Sequence, residues 1–373
     1  MQAAQGALQE IREALKDPAA YAGPCTNMVM GCRVNFVAIR IAAQWLMGAA
    51  ENELHQRRLE EGLQDLEALA GLAQVDRDEY TPVAQVTRVA VAGLGLATTW
   101  DALQAPGWIE PQLERLQEAW EPVELAEADE KGLLGARAGA YEWFDRARHS
   151  SGPETSRSLR ASWNLGSSSP AAMLENVARD YLYFPAYKLT SFDADELLYL
   201  KTVQEGITAL RLLKAHQPWP EVKQVMLKAG ARLGTTGRWS DQFRYPLSRT
   251  IAPYYLKVRG AAITAETERQ MTLAAIALKR FQLRHGQLPP SLEALVPELL
   301  SAVPYDYMSA RPLRYRLKPD GSYVLYSVGL DGKDDGGDPS LAPSASPGLW
   351  GGRDAVWPSP AAEPEEAHRQ ADQ

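Results

Sequence analysis

Pro312-Leu-Arg-Tyr-Arg-Leu-Lys-Pro-Asp-Gly-Ser-Tyr-Val-Leu-Tyr-Ser-Val-Gly-Leu-Asp-Gly-Lys-Asp-Asp-Gly-Gly-Asp338 encodes two strands, a turn and an acidic loop in succession. Leu313, Tyr315 and Leu317 alternate with Arg314, Arg316 and Lys318, the period of two expected of a strand with one face covered. Lys318-Pro-Asp-Gly321 carries turn residues, and Tyr323, Leu325 and Ser327 then alternate with Val324, Tyr326 and Val328. This predicts a two-stranded hairpin. The loop hanging from it holds Asp331, Asp334, Asp335 and Asp338, separated by glycines. Calcium takes roughly six to eight oxygen ligands, and glycines let carbonyls turn inward, so the loop is a candidate calcium site. Asp-Gly pairs are also ordinary turn chemistry, and the spacing lacks the order and final glutamate of an EF-hand. A solvated turn is the competing reading.

Upstream, Met271, Ala274, Ala275, Leu278 and Phe281 recur at helical spacing. Lys279, Arg280 and Arg284 lie near the helix end, where cations complement the macrodipole, and Gly286 supplies a stop. Ser291 reads as the cap of a short second helix closed by Pro297.

His285 to Pro289, Ser291 to Pro297, Pro312 to Tyr315 and Tyr323 to Lys333, following a long helix, resemble the globular end of the major pseudopilin of type II secretion systems. The resemblance implies a calcium site in the loop. Val328 would give a backbone carbonyl, Asp331 the first carboxylate, and Asp338 with Asp334 or Asp335 the later ligands. Tyr305 to Arg311 departs from the family, which often carries Asp-Pro and a glycine there. About 260 residues precede the matching helix, unlike the apolar anchor helix of a pilus subunit. The whole layout also resembles large uncharacterised envelope proteins of planctomycete and verrucomicrobial type, which implies a cell-envelope or periplasmic location.

A length of 373 residues with 45% hydrophobic content is enough for two or three folded domains. The net charge of −8, without a basic run, argues against nucleic acid and against anionic membranes. The first residues form an amphipathic pattern, not a signal peptide. The apolar stretch Ile41 to Ala50 is too short to span a bilayer, so the chain reads as soluble, with no transmembrane segment. A start in mid-helix would equally suit a protein whose anchor has been removed. Cys25 and Cys32 lie seven positions apart and would close a small disulfide loop in an oxidising compartment, or stay as thiols in a reducing one.

From Gln2 to about Arg259 the patterning is helical. Leu59, Leu63, Leu66, Ala70 and Ala73 form a stripe, with Glu60, Glu61, Gln64 and Asp65 on the other faces. Further helices are expected at 33–50, 82–103, 111–120, 131–148, 171–181, 194–215 and 220–231. Breaks fall at 150–162, 166–170 and 234–238, and no strict repeat is present. The expected fold class is therefore mainly α, an irregular helical bundle or solenoid followed by a small α+β module with a β-hairpin. The expected units are helical subdomains at 1–150 and 151–259, the pseudopilin-like module at 260–338 and a disordered tail at 339–373.

Catalytic patterns are sparse. The histidines are scattered without zinc-ligand spacing. Aromatic residues cluster at Tyr181 to Tyr187, Phe243 to Pro246 and Tyr254-Tyr255, as a packed core or as the lining of a groove. Two functions follow. The first is a non-enzymatic binding or scaffold protein of the cell envelope with a calcium-stabilised C-terminal module, engaging a protein or envelope component. The second is a glycan-cleaving hydrolase using paired carboxylates such as Asp193, Asp195 or Glu196.

Overall fold

The computed structural model describes residues 2–18, 35–156, 177–231, 244–342, 345 and 348–357. Within them the chain is mainly helical and ends in a small antiparallel sheet, the architecture expected from the patterning. Helix α1 spans Gln2–Ala14, α2 Phe36–His55, α3 Leu59–Leu72, α4 Pro82–Gln104, α5 Glu110–Trp120 and α6 Ala128–His149. A π-helical turn at Arg179–Tyr183 leads into α7 (Phe184–Thr190), α8 (Phe192–Lys214), α9 (Trp219–Ala231) and the long α10 (Pro246–His285). Proline stands in the first turn of α4, α5 and α10, where its missing N–H breaks no helical bond. Helix α10 stops at Gly286, whose left-handed φ of 73° lets its N–H reach back to the Gln282 carbonyl.

Two cores flank α10. Leu46, Leu63, Leu66, Leu96 and Trp120 from α2–α5 pack with Met271 and Ile276 of α10 and with Leu325 and Trp357 of the sheet. On the other side, Phe144, Tyr187, Ile207 and Trp219 pack with Ile263 of α10, Met308 and Val328. Helix α6 packs on α8, and α10 runs unbroken through residue 259. The unit boundaries expected at 150 and 259 therefore do not divide the packing, because each core is assembled from both sides of them.

Cross-helix ion pairs add to this frame. Lys279, Arg280 and Arg284 do more than terminate α10. Lys279 Nζ donates to the Leu103 carbonyl at 2.5 Å, at the end of α4. Arg280 binds Glu110 and Glu114 of α5 at 2.8 and 2.5 Å, and Arg284 shares Glu110. Asp65 also departs from the sequence reading. Its face of α3 is covered by α1, and the buried carboxylate takes two bonds from Arg12, at 2.7 and 2.8 Å.

The short second helix expected after Ser291 is present, as a 3-10 helix over Leu292–Leu295. The Ser291 side chain bonds Glu293 and does not cap the backbone. Strands β1 (Tyr305–Asp306) and β2 (Arg311–Pro312) form a short pair. Strands β3 (Arg314–Leu317) and β4 (Tyr323–Ser327) form the expected hairpin, with Tyr315 opposite Leu325 and Arg316 opposite Val324. The turn is closed by Gly321 N–H to the Lys318 carbonyl at 3.1 Å.

The disorder expected over 339–373 requires correction at the described residues, which reach Trp357. Ala355–Trp357 forms a third strand, β5, against β4, and Trp357 is buried with its ring edge-on to Trp100 at 5.9 Å. Among the described residues after Pro339, 348–357 form a strap that returns to the sheet. Cys25, Cys32, Phe243, the segment 157–176, the break at 234–238 and the tail beyond 357 lie outside the described residues, as do the Tyr254 and Tyr255 side chains. No helix among the described residues is long and apolar enough to cross a membrane.

Candidate functional site

The acidic loop leaves β4 and folds back over the outer face of the hairpin. Gly337, with φ of 81°, lies so close that a Cβ would come within 3.1 Å of Val324 and 3.3 Å of the Tyr326 ring. This explains why Val324 and Tyr326, on the face opposite Leu325, are also buried. At the loop entrance Gly329 is equally constrained, since a Cβ there would stand 2.4 Å from the Arg353 carbonyl.

The four predicted carboxylates do not all converge. Asp331 accepts the Lys333 N–H at 3.0 Å within its own turn. Asp334 turns outward to the Tyr326 hydroxyl at 3.0 Å and Arg314 Nε at 3.1 Å. Partial burial pushes the Asp334 carboxyl up, but the Gly336 amide, Tyr326 and Arg314 outweigh it and hold it below its usual value. Asp335 and Asp338 both face Arg353, at 3.9 and 3.7 Å. Asp338 also accepts the Ser340 N–H at 2.9 Å, which lowers its pKa. Val328 has a buried side chain, and its N–H goes to Asp306 at 3.3 Å. Among the described residues no group of three or more His, Cys, Asp or Glu is placed to hold a metal ion. In this conformation the Asp331, Asp334, Asp335 and Asp338 carboxylates do not form a calcium cage, whose carboxylates must aim at one point.

Two buried aspartates outside the predicted set organise the loop instead. Asp306 accepts the Ser327 hydroxyl at 2.8 Å, the Met308 amide at 2.9 Å, the Ser309 hydroxyl at 2.9 Å and the Val328 amide, fixing the start of the loop. Asp354, 1% exposed, accepts the amides of Asp335, Gly337 and Asp338 at 3.3, 2.7 and 3.1 Å. Burial pushes both carboxyls above their usual values against the pull of these donors. Asp354 had no periodic signal in the sequence, since the strand it precedes, Ala355–Trp357, is only three residues long.

The hydrolase candidates are engaged as well. Asp195 is fully buried, and it accepts the Tyr187 hydroxyl at 2.8 Å and the Ser248 hydroxyl and amide at 2.6 and 3.1 Å. It thereby fastens the start of α10 to α8 and α7. Asp193, exposed, and Glu196, partly buried, both meet Arg148, at 3.2 and 2.5 Å. The three carboxylates thus divide between core and solvent and do not face each other across a cleft. Phe184 and Tyr187 are core, whereas Tyr181 and Leu182 are 66% and 72% exposed.

A cavity of about 570 Å³ between α1, α3 and α5 is lined by Arg12, Lys16, Gln64, Glu67, Arg115 and Glu118. Its arginines are committed to Asp65 and to Glu60 and Glu67. On α10, the Glu268 carboxyl bonds the Trp350 side chain, and burial pushes it up to about 7 against that bond. Sequence reasoning passed over it because Glu268 stands in an ordinary helical pattern.

Comparison with known proteins returned no match among protein-family models, curated proteins or solved structures.

Proposed function

We propose that this chain is a non-enzymatic binding or scaffold protein. The observation that carries the proposal is the placement of Asp193, Asp195 and Glu196. The carboxylate best shielded from water, Asp195, is saturated by Ser248 and Tyr187, and the other two neutralise Arg148. Acid–base hydrolysis of a glycan needs two carboxyl groups flanking an accessible bond, and this arrangement leaves Asp195 no access to one.

The envelope location and the pseudopilin-like character of the C-terminal module belong to the same proposal. They are supported by the order of the motif residues and by the hairpin that carries them. The calcium role implied by that resemblance is not carried into the proposal, because the loop carboxylates are spent on Arg314, Arg353 and backbone amides.

The test is to incubate the full chain with peptidoglycan and with soluble polysaccharides, alongside a Glu196→Gln variant, and to assay reducing ends and cosedimentation. The expected outcome is saturable cosedimentation with an envelope fraction and no reducing ends above buffer. Release of reducing ends that falls in Glu196→Gln would overturn the proposal.

A further inference from the structure

We propose that the acidic loop is an anion receptor closed by the chain's own Asp354, with no resident metal. A calcium loop points carbonyl and carboxylate oxygens inward. This loop has the opposite polarity. Gly336 and Gly337 have φ of 76° and 81°, and the amides of Asp335, Gly337 and Asp338 turn toward one another. Gly337 and Asp338 donate to one Asp354 oxygen and Asp335 to the other, while the Gly336 amide turns to Asp334; amides gathered round one carboxylate make an anion-binding concavity. Asp354 fills it.

The seating is reinforced on both sides. The Asp354 N–H donates to the Asp338 carbonyl at 3.0 Å, and the Arg353 N–H donates to the Ser340 carbonyl at 2.9 Å. Residues 353–354 thus zip onto the loop before the chain enters β5. The crowding of loop carboxylates is relieved by arginines at the flanks. Arg314 from β3 meets Asp334, and Arg353, adjacent to Asp354, lies between Asp335 and Asp338. The strap therefore delivers an anion for the amides and a cation for the carboxylates from neighbouring positions. A divalent ion would have to displace both.

This inference is independent of the scaffold reading, which the glycan assay tests. Its own test uses the full chain in two arms. In the first, thermal melts of the wild type in millimolar calcium and in chelator should superimpose. In the second, hydrogen exchange at Gly337 and Asp338 should quicken by about tenfold or more in Asp354→Asn and stay unchanged in Asp331→Asn. A calcium-dependent rise in Tm that Asp331→Asn abolishes would overturn the proposal, as would unchanged protection in Asp354→Asn. The calcium arm needs only the wild type and Asp331→Asn, so it decides even if Asp354→Asn fails to fold.

Discussion

Asp193–Glu196 and Asp331–Asp338 are two places where carboxylates crowd the sequence, and the fold treats them differently. In the helical body one member of the cluster, Asp195, goes into the core and ties α8 to the start of α10. At the acidic loop the four predicted carboxylates stay at the rim, and the buried one, Asp354, arrives from beyond the cluster. A crowd of acids on a helix can put one member inward because successive residues face different directions. A glycine loop has no inward face until another segment supplies one. Density of charge therefore marks where a fold must neutralise itself, and the partners decide whether chemistry is left over.

The sharpest way to break this comparison is Asp195→Ala. It strands the Ser248 amide and hydroxyl and the Tyr187 hydroxyl in the core, and the expected loss is about 4 kcal/mol in urea denaturation. A loss under about 1 kcal/mol would show that Asp195 is not the fastener described.

Glu268 sharpens it next, as a partly buried carboxylate joining α10 to the strap through Trp350. Its folded pKa, about 7, lies above the ordinary value of 4.5. Stability from this group is therefore complete below about pH 4.5 and is lost as pH rises through about 7, by up to about 3 kcal/mol. Denaturation curves across that window should show the decline, and Glu268→Gln should flatten it.

Asp354→Ala should cost about 2 kcal/mol, less than Asp195→Ala because water can reach part of the released loop amides. Equal losses would erase the contrast between body and loop. The smallest effects are expected at the rim. Asp193→Asn and Asp331→Asn should each stay within about 0.5 kcal/mol of the wild type, since both side chains are solvent-facing.

The fold was legible where a period was sustained. The stripe Leu63, Leu66, Ala70 and Ala73 is buried as its spacing predicts, and the alternation around Lys318-Pro-Asp-Gly321 gives the observed hairpin. What could not be read depends on contacts between distant segments. Asp65 looked solvent-facing until α1 covered it. Ala355–Trp357 is too short for a period to show, and it follows a stretch with the composition of a linker. The loop's location was legible, but its polarity was not. Whether carbonyls or amides point inward depends on which anion or cation the rest of the chain brings.

Helix α10, with 40 residues, is about 60 Å long at the usual rise of about 1.5 Å per residue. It serves as a common rib for both cores. Cutting the gene at residue 259 would divide that rib unequally, 14 residues to one fragment and 26 to the other, and leave each with an open apolar seam. Such fragments should be poorly soluble when expressed apart and should reassemble when expressed together, each completing the other.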